Sequence, residues 1–165
     1  MQRFPMTPAG YARMKNDLEH LKRVERPATS AAIEEARAHG DLKENAEYHA
    51  AREKQGMIEA KIRAWETKVS LAEVIDPEKL SGNRITFGAT VTLLDLDTEE
   101  ETTWSIVGED EADFEHRLLN FKSPIARAIL GKEEGDEVEV DTGSATRSLE
   151  IMDVVYQKIE LTPRD

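Results

Sequence analysis

Between Tyr48 and Ala72 the chain repeats one spacing. Tyr48, Ala51, Gln55, Ile58, Ile62, Trp65, Val69 and Ala72 follow at alternating steps of three and four, and only Gln55 is polar. That spacing is a coiled-coil seam, so this stretch is a helix that must bury a narrow stripe against a second helix. The partner lies upstream. Thr7-Pro8 supplies an N-cap and a proline at the first helical position, Tyr11, Met14, Leu18 and Leu21 keep the same spacing, and His39-Gly40 ends the helix. In an antiparallel pair the facing positions have a constant sum. Taking 83, Tyr11 faces Ala72, Met14 Val69, Leu18 Trp65, Leu21 Ile62, Glu25 Ile58, Ala28 Gln55, Ala32 Ala51 and Glu35 Tyr48. The fold-back point then falls at Gly40-Asp41-Leu42, where the glycine sits. A hairpin from about Pro8 to Ile75, ended by Asp76-Pro77, is expected. Its large apolar residues lie at the base and its alanines toward the tip. Thirty helical residues at ~1.5 Å each give an arm of about 45 Å. Pro27 removes one hydrogen bond inside the first helix and predicts a kink.

The second half reads differently. Ser81-Gly82-Asn83-Arg84 is a linker. Strands are expected around Ala89–Leu93, Thr103–Val107, Arg117–Phe121, Glu137–Asp141 and Leu149–Tyr156. Ser123-Pro124 caps and opens a short helix closed by Gly131. The expected fold class is therefore α+β: a helical hairpin over 1–76, a linker over 77–84, and a small antiparallel-sheet domain with one helix over 85–165.

Charge separates the same halves. Residues 1–76 hold 13 basic and 13 acidic side chains, whereas 77–165 hold 9 and 21, which accounts for the whole net charge of −12. So acidic a half is a poor nucleic-acid binder and suits a basic protein surface, or simple solubility. The absence of cysteine excludes disulfides and thiolate metal sites. No apolar run approaches the roughly 18 residues of a membrane helix. A soluble, cytoplasmic monomer is expected.

The turn carries the chemistry. Asp41 and Glu44 can be read as an N-cap and its N3 partner, a capping box that would account for both acids. They can also be read as two hard oxygen donors one turn apart on a protruding tip. Mg²⁺ takes one or two carboxylates and completes its shell with water and phosphate oxygens, so a partner would have to supply the remaining ligands. His39 and His49 flank the turn, but no zinc-type spacing joins them.

Gly40-Asp41-Leu42-Lys43-Glu44-Asn45-Ala46-Glu47-Tyr48, continued by His49 to Glu53, resembles the tip signature of the Gre-type (GreA/GreB) transcript cleavage factors. Ser123 to Lys132, Phe87 to Val91 and Val107 to Asp113 are similar to further blocks of that family, in the expected order. The tip acids are unaltered, and the balanced charge of the hairpin places the chain nearer the GreA-like than the more basic GreB-like branch. The resemblance implies an FKBP-like C-terminal domain that docks on a bacterial RNA polymerase through Ser123 and Pro124. It implies a hairpin that enters the secondary channel of the backtracked enzyme. There Asp41 and Glu44 would share an Mg²⁺ with the polymerase's own aspartates, one ion activating water and another stabilising the leaving oxygen as the RNA 3′ end is cut. The polymerase would be the enzyme, and the factor would lend ligands. Arg37, Lys43 and Arg52 would face RNA phosphates, or else form surface ion pairs along the hairpin. Two rival functions remain: an adaptor whose tip only touches a partner, and a prolyl isomerase suggested by fold analogy. Residues 157–165 run beyond the usual family end.

Overall fold

The computed structural model describes residues 2–40 and 45–163. Contacts divide the chain into two units, Ala12–Ala72 with the extreme N-terminus, and Arg3–Tyr11 with Glu73–Asp165. The first turn of the first helix therefore groups with the sheet domain, although the rest of that helix belongs to the hairpin.

The hairpin is built from α1 (Pro8–His20), a π-helical segment Leu21–Glu25, α2 (Arg26–Arg37) and α3 (Ala46–Ser70). At its base Leu21, Ile58 and Ile62 form a buried cluster flanked by Leu18 and Trp65, which agrees with the facing pairs expected there. All of Tyr48, Ala51, Gln55, Ile58, Ile62, Trp65 and Val69 are buried or half-buried, so the α3 seam stands as read.

Beyond Leu21 the other arm departs from expectation. Thr29, Ile33 and Ala36 are buried, while Ala28, Ala32 and Glu35 are exposed. The π segment is the reason. It spends one residue more than an α-helix over the same rise, and the Arg26 N–H reaches back to the Leu21 carbonyl instead of the Lys22 carbonyl. The seam beyond it slips by one position. The slip puts Ile33 inside and leaves Glu35 in water, where the regular phase would do the reverse. Pro27 makes this the cheapest place for it, because its ring has no N–H to give and would crowd the Arg23 carbonyl of a regular helix. The expected irregularity at Pro27 thus takes the form of a change of phase just before it. Arg26 then lies beside the seam and grips Glu59 with two parallel bonds of 2.7 and 2.9 Å, and Lys22 meets Glu66 at 3.2 Å.

The end of α3 also differs. The helix stops at Ser70, and Ala72–Val74 form strand β2, paired with β1 (Phe4–Met6). Asp76 does not end α3 but caps the start of a 3₁₀ turn, Pro77–Lys79, by accepting the Glu78 N–H.

The sheet of the second unit has the order β5-β4-β3-β7-β6, with β3 Thr90–Asp95, β4 Glu101–Val107, β5 Leu118–Asn120, β6 Glu137–Asp141 and β7 Thr146–Val155. Every expected strand is present. The pairing is antiparallel except for β4 and β5, which run parallel because the 3₁₀ turn Phe114–His116 and its flanks carry the chain back before β5 starts. The short helix α4 (Pro124–Ile129) presses Ala126 and Ile129 onto a core of Val91, Leu93, Trp104, Ile106, Val140 and Ile151.

One buried acid ties the N-terminal residues to this unit. Glu111 is 4% exposed and accepts hydrogen bonds from the Thr7 N–H at 2.9 Å, the Thr7 hydroxyl, and the Gly108 N–H at 2.7 Å. Thr7 in turn caps α1 through the Gly10 N–H. A carboxylate at a helix N-terminus also opposes the helix dipole favourably. Two glycines make the approach possible: a Cβ on Gly10 would sit 1.9 Å from the Glu111 carboxylate, and one on Gly108 2.5 Å from the Pro5 carbonyl.

Candidate functional site

The hairpin tip is assembled from two helix ends. α2 closes at Ala38, and Gly40 follows at φ +112°, a left-handed conformation suited to glycine, as its place after the helix predicts. Asp41, Leu42, Lys43 and Glu44 lie outside the described residues, so the expected site residues Asp41, Lys43 and Glu44 do too. On the far side α3 begins at Ala46, and its N-cap is Asn45, in extended conformation, accepting from the Tyr48 N–H at 3.0 Å. The cap expected at Asp41, with Glu44 at N3, is thereby corrected: the capping position of α3 belongs to Asn45. The side-chain amide of Asn45 also donates to the Ala36 carbonyl of α2 at 2.6 Å. One residue thus satisfies an orphan N–H of one helix and a late carbonyl of the other. Asn is among the best N-cap residues, and Asn45 stands immediately before the first unbroken helical pattern, so the signal was present in the sequence.

Around this clasp Tyr48 is half-buried, with the Arg37 guanidinium 6.0 Å from its ring centroid and the His49 ring edge-on at 5.7 Å. Arg37 and Arg52 are both exposed, which leaves their charges in water near the tip. Among the described residues no three His, Asp or Glu side chains gather into a metal-binding group, at the tip or elsewhere.

In the second unit, Ser123 caps α4 by accepting the Ala126 N–H at 3.3 Å, and Pro124 follows it, exposed. The next residue, Ile125, lines a cleft of about 210 Å³ with Leu93, Trp104, Phe114, Arg117 and Leu149. Trp104 is 4% exposed, whereas Phe114, tilted against it with ring centroids 4.8 Å apart, is 67% exposed. The Arg117 guanidinium covers the same indole at 4.7 Å. The sequence places Arg117 only at the start of an expected strand and gives it no functional role.

Two descriptions together span almost all of this architecture. Residues 4–74 match the N-terminal domain of a transcription elongation factor, and residues 80–156 match the C-terminal domain of GreA/GreB transcription elongation factors. The chain belongs to the GreA/GreB family. Transcription elongation factor GreA of Ruegeria pomeroyi is 60% identical over 94% of this chain and 99% of its own. GreA of Hyphomonas neptunium is 55% identical over 95% and 100%. Among solved structures, GreA factor homolog 1 of Thermus thermophilus is 26% identical over 93% of this chain and 99% of its own, with a TM-score of 0.43.

Seen as a GreA/GreB factor, the chain is a transcription elongation factor whose hairpin is the N-terminal family domain and whose sheet is the C-terminal one. The C-terminal match stops at Tyr156, and beyond it Ile159 is buried with Leu161 packed beside it. Among the described residues no helix is long and apolar enough to cross a membrane.

Proposed function

We propose that this GreA/GreB factor enters the secondary channel of a backtracked bacterial RNA polymerase in the cytoplasm, acts there as a monomer, and stimulates the polymerase to cut the extruded RNA 3′ end. The observation that carries this reading is the clasp at Asn45. Because Asn45 caps α3, the capping of that helix makes no demand on Asp41 and Glu44. With α3 capped by Asn45, the reading of Asp41 and Glu44 as metal ligands is favoured over their reading as its capping box.

Their donor set fits Mg²⁺, which prefers carboxylate oxygens and retains several open positions for water and phosphate. Asp41 and Glu44 would hold the ion together with the polymerase's aspartates, and the ion when bound would supply charge stabilisation for phosphodiester hydrolysis. Two carboxylates without further protein ligands explain why the free factor would hold the ion weakly. Asn45 joins the end of α2 to the start of α3, the two helix ends that lead into the tip. Arg37 and Arg52 would neutralise RNA phosphates near the cut, with Arg37 steadied by the Tyr48 face, and Lys43 would join them. The slim upper seam of Thr29, Ala36 and Ala51 suits a narrow passage. The chemistry would remain the polymerase's, and this factor would lend ligands and position.

Docking would fall to the C-terminal unit. Ser123 spends its hydroxyl on α4 and so sets where the exposed Pro124 stands.

The test is direct. A polymerase stalled in a backtracked register, given this protein and Mg²⁺, should release short 3′ RNA fragments and then resume synthesis. Unchanged RNA length over that time would contradict the reading. Calorimetry finding a tight stoichiometric Mg²⁺ site in the free protein would contradict the shared-ligand part of it.

A further inference from the structure

Residues 157–163 lie beyond the C-terminal family match, yet they are folded onto the domain. Ile159 is 6% exposed and packs with Val107 and Leu118, flanked by Ala112 and Leu161. Three residues later the Thr162 hydroxyl donates to the Asp113 carboxylate at 2.9 Å.

Asp113 is the anchor of the turn that leads into β5. Its backbone pairs with Leu118 in both directions at 2.9 Å, its carbonyl accepts the His116 N–H at 3.1 Å, and its carboxylate meets the His116 ring at 3.0 Å. The enclosed turn is Phe114–His116, closed by Arg117 at φ +60°. Few non-glycine residues adopt that conformation, so the turn needs support from its surroundings. The Thr162 hydroxyl, and after it the charge and ring N–H of His116, hold the Asp113 carboxyl below the ordinary aspartate range despite some burial. Among the residues this turn presents are Phe114 and Arg117, the exposed aromatic and the guanidinium that lie against Trp104 at the rim of the cleft.

We propose that residues 157–163 are a clasp that holds the Asp113–Leu118 turn in one conformation and so preorganises Phe114 and Arg117 as a docking surface for RNA polymerase. This rests on the docking role of the C-terminal unit proposed above. Phe114 and Arg117 have the composition of binding hot spots, an aromatic and an arginine over a buried tryptophan. They are continuous with the proposed docking element, because Ile125, next to Pro124, lines the same cleft. An ordered turn binds more tightly than a loose one because less freedom is lost on contact.

The experiment compares the full chain with the double variant Ile159→Ser/Thr162→Val, which removes the tail's buried isoleucine and its bond to Asp113 and leaves the turn's own residues intact. Amide exchange at His116, Arg117 and Leu118 should speed up by roughly tenfold or more, the effect of losing a hydrogen bond to a charged group. Polymerase binding should weaken several-fold. Phe114→Ala should weaken binding in the full chain and add little in the double-variant background. A chain ending at Tyr156 should repeat the double variant's behaviour. Unchanged exchange in the turn would overturn the clasp. So would unchanged binding by the double variant while Phe114→Ala or Pro124→Glu weakens it, which would leave the docking role standing. If neither Phe114→Ala nor Pro124→Glu alters binding, the docking role itself fails and the clasp's purpose fails with it.

Discussion

The two halves of the hairpin solve the same packing problem with different means. Near the base, Leu18, Leu21, Ile58, Ile62 and Trp65 interlock in regular helical phase and bury most of the hairpin's large side chains. Toward the tip the seam holds Thr29, Ile33, Ala36, Ala51 and Tyr48, and the arms are joined by polar contacts: Arg26 with Glu59, and Asn45 with the Ala36 carbonyl. Between the halves lies the π segment, which resets the phase of one arm. Apolar packing thus supplies stability where the arm is thick. Hydrogen bonds between the arms fix geometry where the arm is slim.

The sharpest way to break this comparison is to delete one exposed residue from either arm. Deleting Val24, with Pro27→Ala to permit a regular helix, removes the extra residue of the π segment and returns Thr29, Ile33 and Ala36 to an unbroken phase. The hairpin should tolerate it, losing about 1 kcal/mol or less. Deleting Met57, exposed on the opposite arm, turns half of α3 away from the seam and should cost several kcal/mol, as burying polar positions and exposing Ile58 or Tyr48 requires. Urea unfolding followed by circular dichroism reads both. Equal costs would mean that the π segment is not an inserted residue.

A smaller effect compares like with like. Ile62→Ala, at a position 1% exposed in the base cluster, should cost about 4 kcal/mol, and Ile33→Ala, in the slim half, about 2 kcal/mol because fewer neighbours lose contact. A larger loss at Ile33 would invert the account of where stability lies.

The clasp gives the next smaller change. Asn45→Ala should destabilise the hairpin by about 1 kcal/mol, as loss of an N-cap does. Asn45→Asp keeps the acceptor for Tyr48 but loses the donor to Ala36. It should therefore leave the start of α3 protected from amide exchange and loosen the end of α2. Loosening on both sides would show that the two bonds do not act separately.

The smallest effect is a pH dependence. The bond from Arg26, aided by its charge, holds the Glu59 carboxyl below its ordinary range, opposed by partial desolvation. A depressed folded-state value means that the contribution is present above the unfolded glutamate pKa and fades as pH falls through the lowered folded value. Comparing the parent with Arg26→Gln, the stability difference should shrink on acidification and stay flat above about pH 6. A difference that grows on acidification would have the wrong sign for this pair.

How much of this was legible beforehand follows the same divide. The base was readable because large apolar side chains at helical spacing leave few alternatives, and the strands and α4 were readable from alternation and from Ser123-Pro124. The upper register was not. Alanine at 28 and 32 looks as good in a seam as isoleucine at 33, and a regular phase is the natural reading when no residue marks an insertion. Pro27 marked the place but not the form. Asp41 with Glu44 three residues on imitates a capping box, whereas Asn45, four residues later, is an equally good N-cap residue with no acid at N3 to announce it. The parallel β4–β5 pair and the tail's attachment depend on contacts such as Asp113 with Thr162, 49 residues apart, which no local pattern encodes. Asp41 and Glu44 themselves were read from resemblance and local chemistry, and lie outside the described residues.

The central claim is that these two acids act as metal ligands in the polymerase. Its most direct test is the rate of RNA cleavage in a backtracked complex with the double variant Asp41→Asn/Glu44→Gln, measured beside its affinity for the same complex. Asn and Gln keep the size and one acceptor oxygen of the originals and remove the charges. The α3 cap, at Asn45, is untouched. The account predicts binding close to the parent's and a cleavage rate lower by roughly two orders of magnitude or more, since charge stabilisation through a metal is worth several kcal/mol. Near-normal cleavage by a variant that binds normally would contradict it.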